Sequence, residues 1–161
     1  MKPDVPPTQL DAWKAVLSAH AAVTGEVERR LAEAELPPLS WYDVLWSLRR
    51  APGRSLRMLE LARAVVTISP SGLTRLVDRI EAEGLLERRR CATDRRGYEA
   101  ALTPQGTAML RRMWPVYASV LNEHVAGMLS EDEALTVAAG LGRVHDSVRG
   151  DRHPEVMASG V

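Results

Sequence analysis

Ser69-Pro-Ser-Gly-Leu-Thr-Arg-Leu-Val-Asp-Arg-Ile-Glu-Ala-Glu-Gly84 is the stretch whose reading decides the fold. Ser69 is an N-cap residue type, and Pro70 stands at the first helical position, where its missing N–H costs nothing. Leu73, Leu76, Val77 and Ile80 follow at the i, i+3, i+4, i+7 spacing of one buried helix face, and Gly84 ends the run as a C-cap glycine does. The opposite face carries Ser71, Thr74, Arg75, Asp78 and Arg79. Short hydroxyl side chains beside an arginine near a helix N-terminus suit a helix laid into a DNA major groove. The same pattern describes an ordinary amphipathic surface helix, so the neighbouring segments decide between the two.

On the N-terminal side, Ser55 to Arg57 reads as a short strand or extended entry, and Leu56, Leu59, Leu61, Ala62, Val65 and Val66 mark a helix ending near Thr67. Two short helices joined by so tight a turn form a helix-turn-helix, with the second as the reading element. On the C-terminal side, Leu85 to Arg90 reads as a strand, residues 91–97 as a polar turn, and Tyr98 to Leu102 as the returning strand. A hairpin directly after a helix-turn-helix is a wing. Residues 87–96 hold five arginines against two acids, with Arg95 and Arg96 near the tip, where they can enter a minor groove or clamp phosphates.

Farther out, Leu10, Trp13, Leu17, His20, Thr24, Val27, Leu31 and Ala34 recur at alternating spacings of three and four, predicting a helix from about Thr8 to Glu35. Such a helix spans roughly 42 Å, too long to be covered by so small a chain, and is expected to pack against another subunit. Pro37-Pro38 stop it, and Ser40 is the expected cap of a second helix over Trp41–Arg50. After the hairpin, Thr103-Pro104 opens a helix predicted to reach Leu129, kinked at Pro115. Ser130 to Glu133 is a capping box for a last helix carrying Leu135, Ala138, Leu141, Val144, His145 and Val148. The expected architecture is mainly α with a small β-hairpin wing. Its divisions are a tail and dimerisation helix over 1–38, a winged DNA-binding lobe over 39–108, dimerisation helices over 109–150 and a flexible tail over 151–161.

Net charge is zero, but its distribution is uneven: +4 over residues 54–98, −2 over 1–38 and −3 over 99–161. The positive charge sits on the reading segment. One cysteine among 161 residues excludes an internal disulfide, and no apolar run approaches a membrane span or a signal-peptide core, which predicts a cytoplasmic protein. The histidines His20, His124, His145 and His153 are scattered without metal-site spacing. Neither a Gly-rich phosphate loop nor a catalytic constellation is present, so no enzyme, metal or cofactor is expected.

The ordered set of motifs resembles the MarR family of winged helix-turn-helix regulators. The resemblance rests on Leu39-Ser40, on Leu59-Glu60-Leu61-Ala62, and on Ser69-x-Ser71-x-Leu73-Thr74-Arg75-Leu76-Val77-Asp78-Arg79-Ile80-Glu81-x-x-Gly84-Leu85-Leu86-x-Arg88. Asp94-x-Arg96 and Leu102-Thr103-x-x-Gly106 complete it, so that residues 39–108 are covered closely. It implies a homodimer whose terminal helices interlock and hold two winged lobes over a pseudo-palindromic duplex operator. The DNA-contacting set is then Ser69, Pro70, Ser71, Thr74, Arg75, Arg79, Arg88, Asp94, Arg95 and Arg96, with Asp94 orienting Arg96. Pro70 and Gly72 depart from the family's usual first turn, which leaves the base preference open.

The implied function is a repressor released from its operator by a small phenolic or aromatic ligand. Trp13, His20, Trp41 and Trp46 offer stacking surface and a hydrogen-bond partner for such an effector. Two other readings stay open. Cys91 lies in the wing, whereas the family's peroxide sensors carry their thiol on the first helix, and would serve a redox-responsive regulator. Overall neutrality would suit a winged-helix module for protein contacts without specific DNA binding.

Overall fold

The computed structural model describes residues 4–65, 69–90 and 97–149. In chain order these form helix α1 (Pro7–Glu33), α2 (Leu39–Arg50), strand β1 (Ser55–Arg57), α3 (Met58–Ala64), α4 (Pro70–Ala82), β2 (Leu86–Arg90), β3 (Tyr98–Leu102), α5 (Pro104–Leu121) and α6 (Glu131–Arg149). The chain divides into two compact units, Met1–Val120 and Leu121–Val161.

Within the first unit, the expected short strand or extended entry before α3 is a true strand. It gives a three-stranded antiparallel sheet in the order β1-β3-β2, with Leu56 and Arg88 both opposite Ala100. The hairpin is therefore anchored along one edge by β1 rather than standing as two strands. Gly53 and Arg54, at φ +65 and +56, turn the chain from α2 into that strand.

The core lies where α2, α3, α4 and the sheet meet. Leu45, Leu48, Leu61, Leu73, Val77, Ile80, Leu86 and Met113 are all essentially inaccessible. Burying each such side chain contributes about 1.5–3 kcal/mol, so the i, i+3, i+4, i+7 face of α4 is held firmly to the lobe. Val27 and Leu31 bring the C-terminal end of α1 into the same core, while the N-terminal part keeps Leu10, Trp13 and Leu17 exposed.

Three boundaries differ from the sequence reading. Ser40 is not the cap of α2: the helix starts a residue earlier, and the Leu39 amide donates instead to the Glu28 carboxylate of α1 at 3.1 Å. Helix α3 ends at Ala64, with 66–68 outside the described residues. The helix after the hairpin runs through Pro115 but ends at Leu121, followed by a π-helical turn over Asn122–Ala126.

In the second unit, Ser130 and Glu133 make the capping box: Ser130 N donates to Glu133 Oε2 at 2.9 Å and Glu133 N to Ser130 Oγ at 3.4 Å. The Ser130 hydroxyl, donating to Glu133 Oε2 at 2.7 Å, and then the Ser130 amide hold the Glu133 carboxyl below the ordinary carboxylate range. Helix α6 leaves Leu135, Leu141, Val144 and Val148 exposed, at three- and four-residue spacings apart from one of six.

Candidate nucleic-acid interface

Helix α4 is built as its sequence dictates. Ser69 Oγ accepts from the Gly72 amide at 3.3 Å and lies 3.5 Å from Ser71 Oγ, so the hydroxyls and free amides of the first turn gather at the helix N-terminus. Leu73, Leu76, Val77 and Ile80 are buried, which turns Ser71, Thr74, Arg75, Asp78 and Arg79 outward. Pro70 is its first residue. Among the described residues, Arg75 and Arg79 have no carboxylate partner.

The C-terminal end of α4 is fixed to the wing base. Gly84, at φ +70, lets its amide reach Glu81 O at 2.8 Å while the Leu85 amide reaches Ile80 O at 3.1 Å, a Schellman closure. Thr103 joins α5 to this corner, donating its hydroxyl to Gly84 O at 2.7 Å and accepting from the Gly106 amide at 3.0 Å.

Arg88, expected among the DNA contacts, is placed differently. Its guanidinium bridges Asp78 and Glu81 on α4, and its backbone amide donates to Glu81 Oε1 at 2.8 Å. Partial burial disfavours its charge, but the two carboxylates outweigh this and raise its pKa above the ordinary arginine value. The sequence reading missed this link because Arg88 lies ten residues from Asp78, outside any helical spacing. Arg89 pairs with Glu87 on the other side of the strand, and Arg90 is exposed. Asp94, Arg95, Arg96 and Cys91 lie outside the described residues.

The four proposed effector residues are not brought together as one site. Trp46 stacks on Tyr42 with ring centroids 5.9 Å apart, in a cluster completed by Trp114 and Tyr117 of α5. Burial, and then the neighbouring Tyr117, pushes the Tyr42 hydroxyl up to about 12. Trp41 lines a separate open groove of about 460 Å³ with Leu36, Pro37, Leu85 and Met109. Trp13 and His20 sit on exposed positions of α1, and Thr24 satisfies its hydroxyl on the His20 carbonyl at 2.7 Å. The signal that would have found the cluster is the pairing of Tyr42 with Trp46 one turn on, and of Trp114 with Tyr117.

Comparison with known proteins agrees with this geometry. The MarR family model matches residues 35–97, from the end of α1 to the wing. The structure is similar to AbsC, a MarR family transcriptional regulator from Streptomyces coelicolor, at 27% identity and TM-score 0.81, covering 93% of this chain and 100% of that one. It is similar to Sco3205 from the same organism, a MarR family transcriptional regulator solved in complex with DNA, at 25% identity and TM-score 0.80, covering 98% and 96%. A likeness of fold extends to Bordetella bronchiseptica BpsR, whose DNA binding is regulated by 6-hydroxynicotinic acid, at 20% identity and TM-score 0.72 over 83% of this chain and 91% of that one. With a capped reading helix, a wing base fixed to its end and relatives matched along nearly their whole length, the chain is similar to MarR family transcriptional regulators, and residues 35–97 match the model of that family.

Proposed function

We propose that this protein is a homodimeric repressor that binds a pseudo-palindromic duplex through α4 and the wing. The observation that carries the reading is the outer face of α4, where Ser71, Thr74, Arg75 and Arg79 stand exposed on a helix whose other face is locked in the core. Arginine and hydroxyl side chains on a rigid support, beside a helix N-terminus, meet the donor and acceptor edges of bases and the phosphates that flank them. Ser69 holds the first turn, and Arg95 and Arg96 extend the contact from the wing, with Asp94 orienting Arg96.

Two winged lobes read two half-sites only if something holds them at one spacing. The exposed apolar faces of α1 and α6 supply that function by pairing with a second copy. Occupation of the operator excludes polymerase. A small aromatic ligand that binds better to a dimer with displaced lobes releases the DNA, since a ligand shifts a conformational equilibrium only through differential affinity. The Tyr42–Trp46–Trp114–Tyr117 cluster at the α2–α5 junction is the place for it, because both helices join the reading lobe to the dimerisation helices. Stabilisation of the protein by phenolic acids in a thermal-shift screen, lost in Trp46→Ala, is the expected result.

The DNA claim is tested by fluorescence anisotropy with a duplex from the region upstream of the protein's own gene, beside an unrelated duplex. Own-region binding tighter by a factor on the order of a thousand, and lost in Arg75→Ala with the fold intact, supports it. Equal weak binding of both duplexes by both proteins overturns it in favour of a protein-interaction module.

A further inference from the structure

Helix α4 carries two carboxylates on a surface that faces DNA in the reading above. Asp78 and Glu81 lie one turn apart, and Arg88 of β2 reaches both of them with its guanidinium and Glu81 again with its backbone amide. In β2, Leu86 and Arg88 point to the α4 side of the sheet, while Glu87 and Arg89 pair with each other on the opposite side. The three contacts are therefore the polar continuation of the apolar seam made by Leu86 with α4. Beyond Arg88, Arg89, Arg90 and Tyr98 are exposed, with Arg90 opposite Tyr98 and Arg89 opposite Glu99 across the β2–β3 pair.

We propose that Arg88, Asp78 and Glu81 form a clamp that sets the angle of the wing against the reading helix, and that Arg88 acts as a positioning residue rather than a phosphate contact. This rests on the DNA-binding reading above. A single planar guanidinium spanning two carboxylates fixes direction as well as distance, which a lysine ammonium cannot do. Arg89 and Arg90 follow on the same strand, so a small rotation at Arg88 becomes a larger displacement at the end of β2. The guanidinium also offsets one of the two negative charges that would otherwise repel phosphates.

The proposal makes a prediction opposite to simple electrostatics. Asp78→Ala/Glu81→Ala removes two negative charges from a DNA-facing helix and frees an arginine, so charge alone predicts tighter binding. The clamp predicts roughly tenfold weaker binding to a duplex that the wild-type protein enriches from a random-sequence pool. Binding to an unrelated duplex stays equal or tightens. Arg88→Ala loses the same factor, and the triple variant loses no more, because all three remove one interaction. Amide hydrogen exchange without DNA provides the independent arm: β2 and β3 amides exchange faster in the double variant, while α2 and α3 amides are unchanged. Tighter binding of the selected duplex by the double variant, or unchanged exchange in β2 and β3, overturns the clamp. If the wild-type protein enriches no sequence, the DNA-binding reading fails by itself, and the clamp's role in DNA positioning falls with it whatever the exchange arm finds.

Discussion

Gly106 illustrates how closely single positions are constrained. A Cβ built on it would lie 2.0 Å from the Leu85 carbonyl oxygen and 2.7 Å from Leu102 Cδ1. Backbone on one side leaves no flexible side chain to move away, so α5 would have to retreat from the α4–β2 corner. Gly106→Ala is expected to cost about 2 kcal/mol or more, read as a lower urea midpoint with an unchanged slope. Glu26 is a different case, a half-buried carboxylate between two guanidiniums. Hydrogen bonds from Arg29, at 2.8 and 2.6 Å, and then from Arg30, at 2.6 Å, lower its pKa from 4.5 to about 2. Because the folded value lies below the unfolded one, this contribution is present above pH 4.5 and is lost as pH falls towards 2. Melting temperatures measured from pH 5 to pH 3 should fall less steeply in Glu26→Gln than in the wild type. At this scale the sequence was legible where partners are close along the chain: Ser69 with Gly72 and Ser130 with Glu133 follow from cap spacing. Contacts between distant residues, such as Glu28 with Leu39 and Arg88 with Asp78, were not, because no periodicity encodes them.

At the scale of elements, α4 was the most readable part, since its cap, first-turn proline, apolar face and closing glycine all point to the same helix. Its neighbours were less so. The three residues of β1 carry little pattern of their own, so the sequence offered a short strand or an extended entry there without a partner, and its pairing with the edge of β3 was not legible. Asn122–Ala126 departs from α-helical hydrogen bonding without any glycine or proline in it, and the sequence reading therefore carried the helix on to Leu129. Ser69→Ala tests the claim that the cap organises the reading helix. It should destabilise the protein by about 1 kcal/mol and weaken binding to the selected duplex, whereas Ser47→Ala, at an intra-helical hydroxyl of α2, should leave binding unchanged.

In the proposed dimer, the terminal helices set the spacing of two reading heads. Trp13 and Leu17 are half exposed on α1, and Leu135 and Val148 on α6 are 63% and 83% exposed. Apolar surface at helical spacing on both terminal helices is what a second copy would cover. Sedimentation should give a dimer for the wild type and a shift towards monomer for Leu17→Glu at micromolar concentration. A wild-type monomer would contradict the proposed assembly. The heptad-like stripe of α1 is what carries the expectation of such pairing in the sequence. The aromatic cluster was not legible there, because the expected effector residues Trp13, His20, Trp41 and Trp46 do not share a place in the fold. The aromatic cluster is instead completed by α5, some seventy residues along the chain from α2.

The central claim, that α4 and the wing grip duplex DNA, is tested most directly by the salt dependence of affinity for the selected duplex. Each phosphate neutralised releases counterions, so a dimer gripping through two reading helices and two wings should give a slope of log K against log salt on the order of −5. The slope should become shallower in Arg75→Ala if Arg75 holds a phosphate. A slope near zero, equal in the wild type and the variant, would contradict the account.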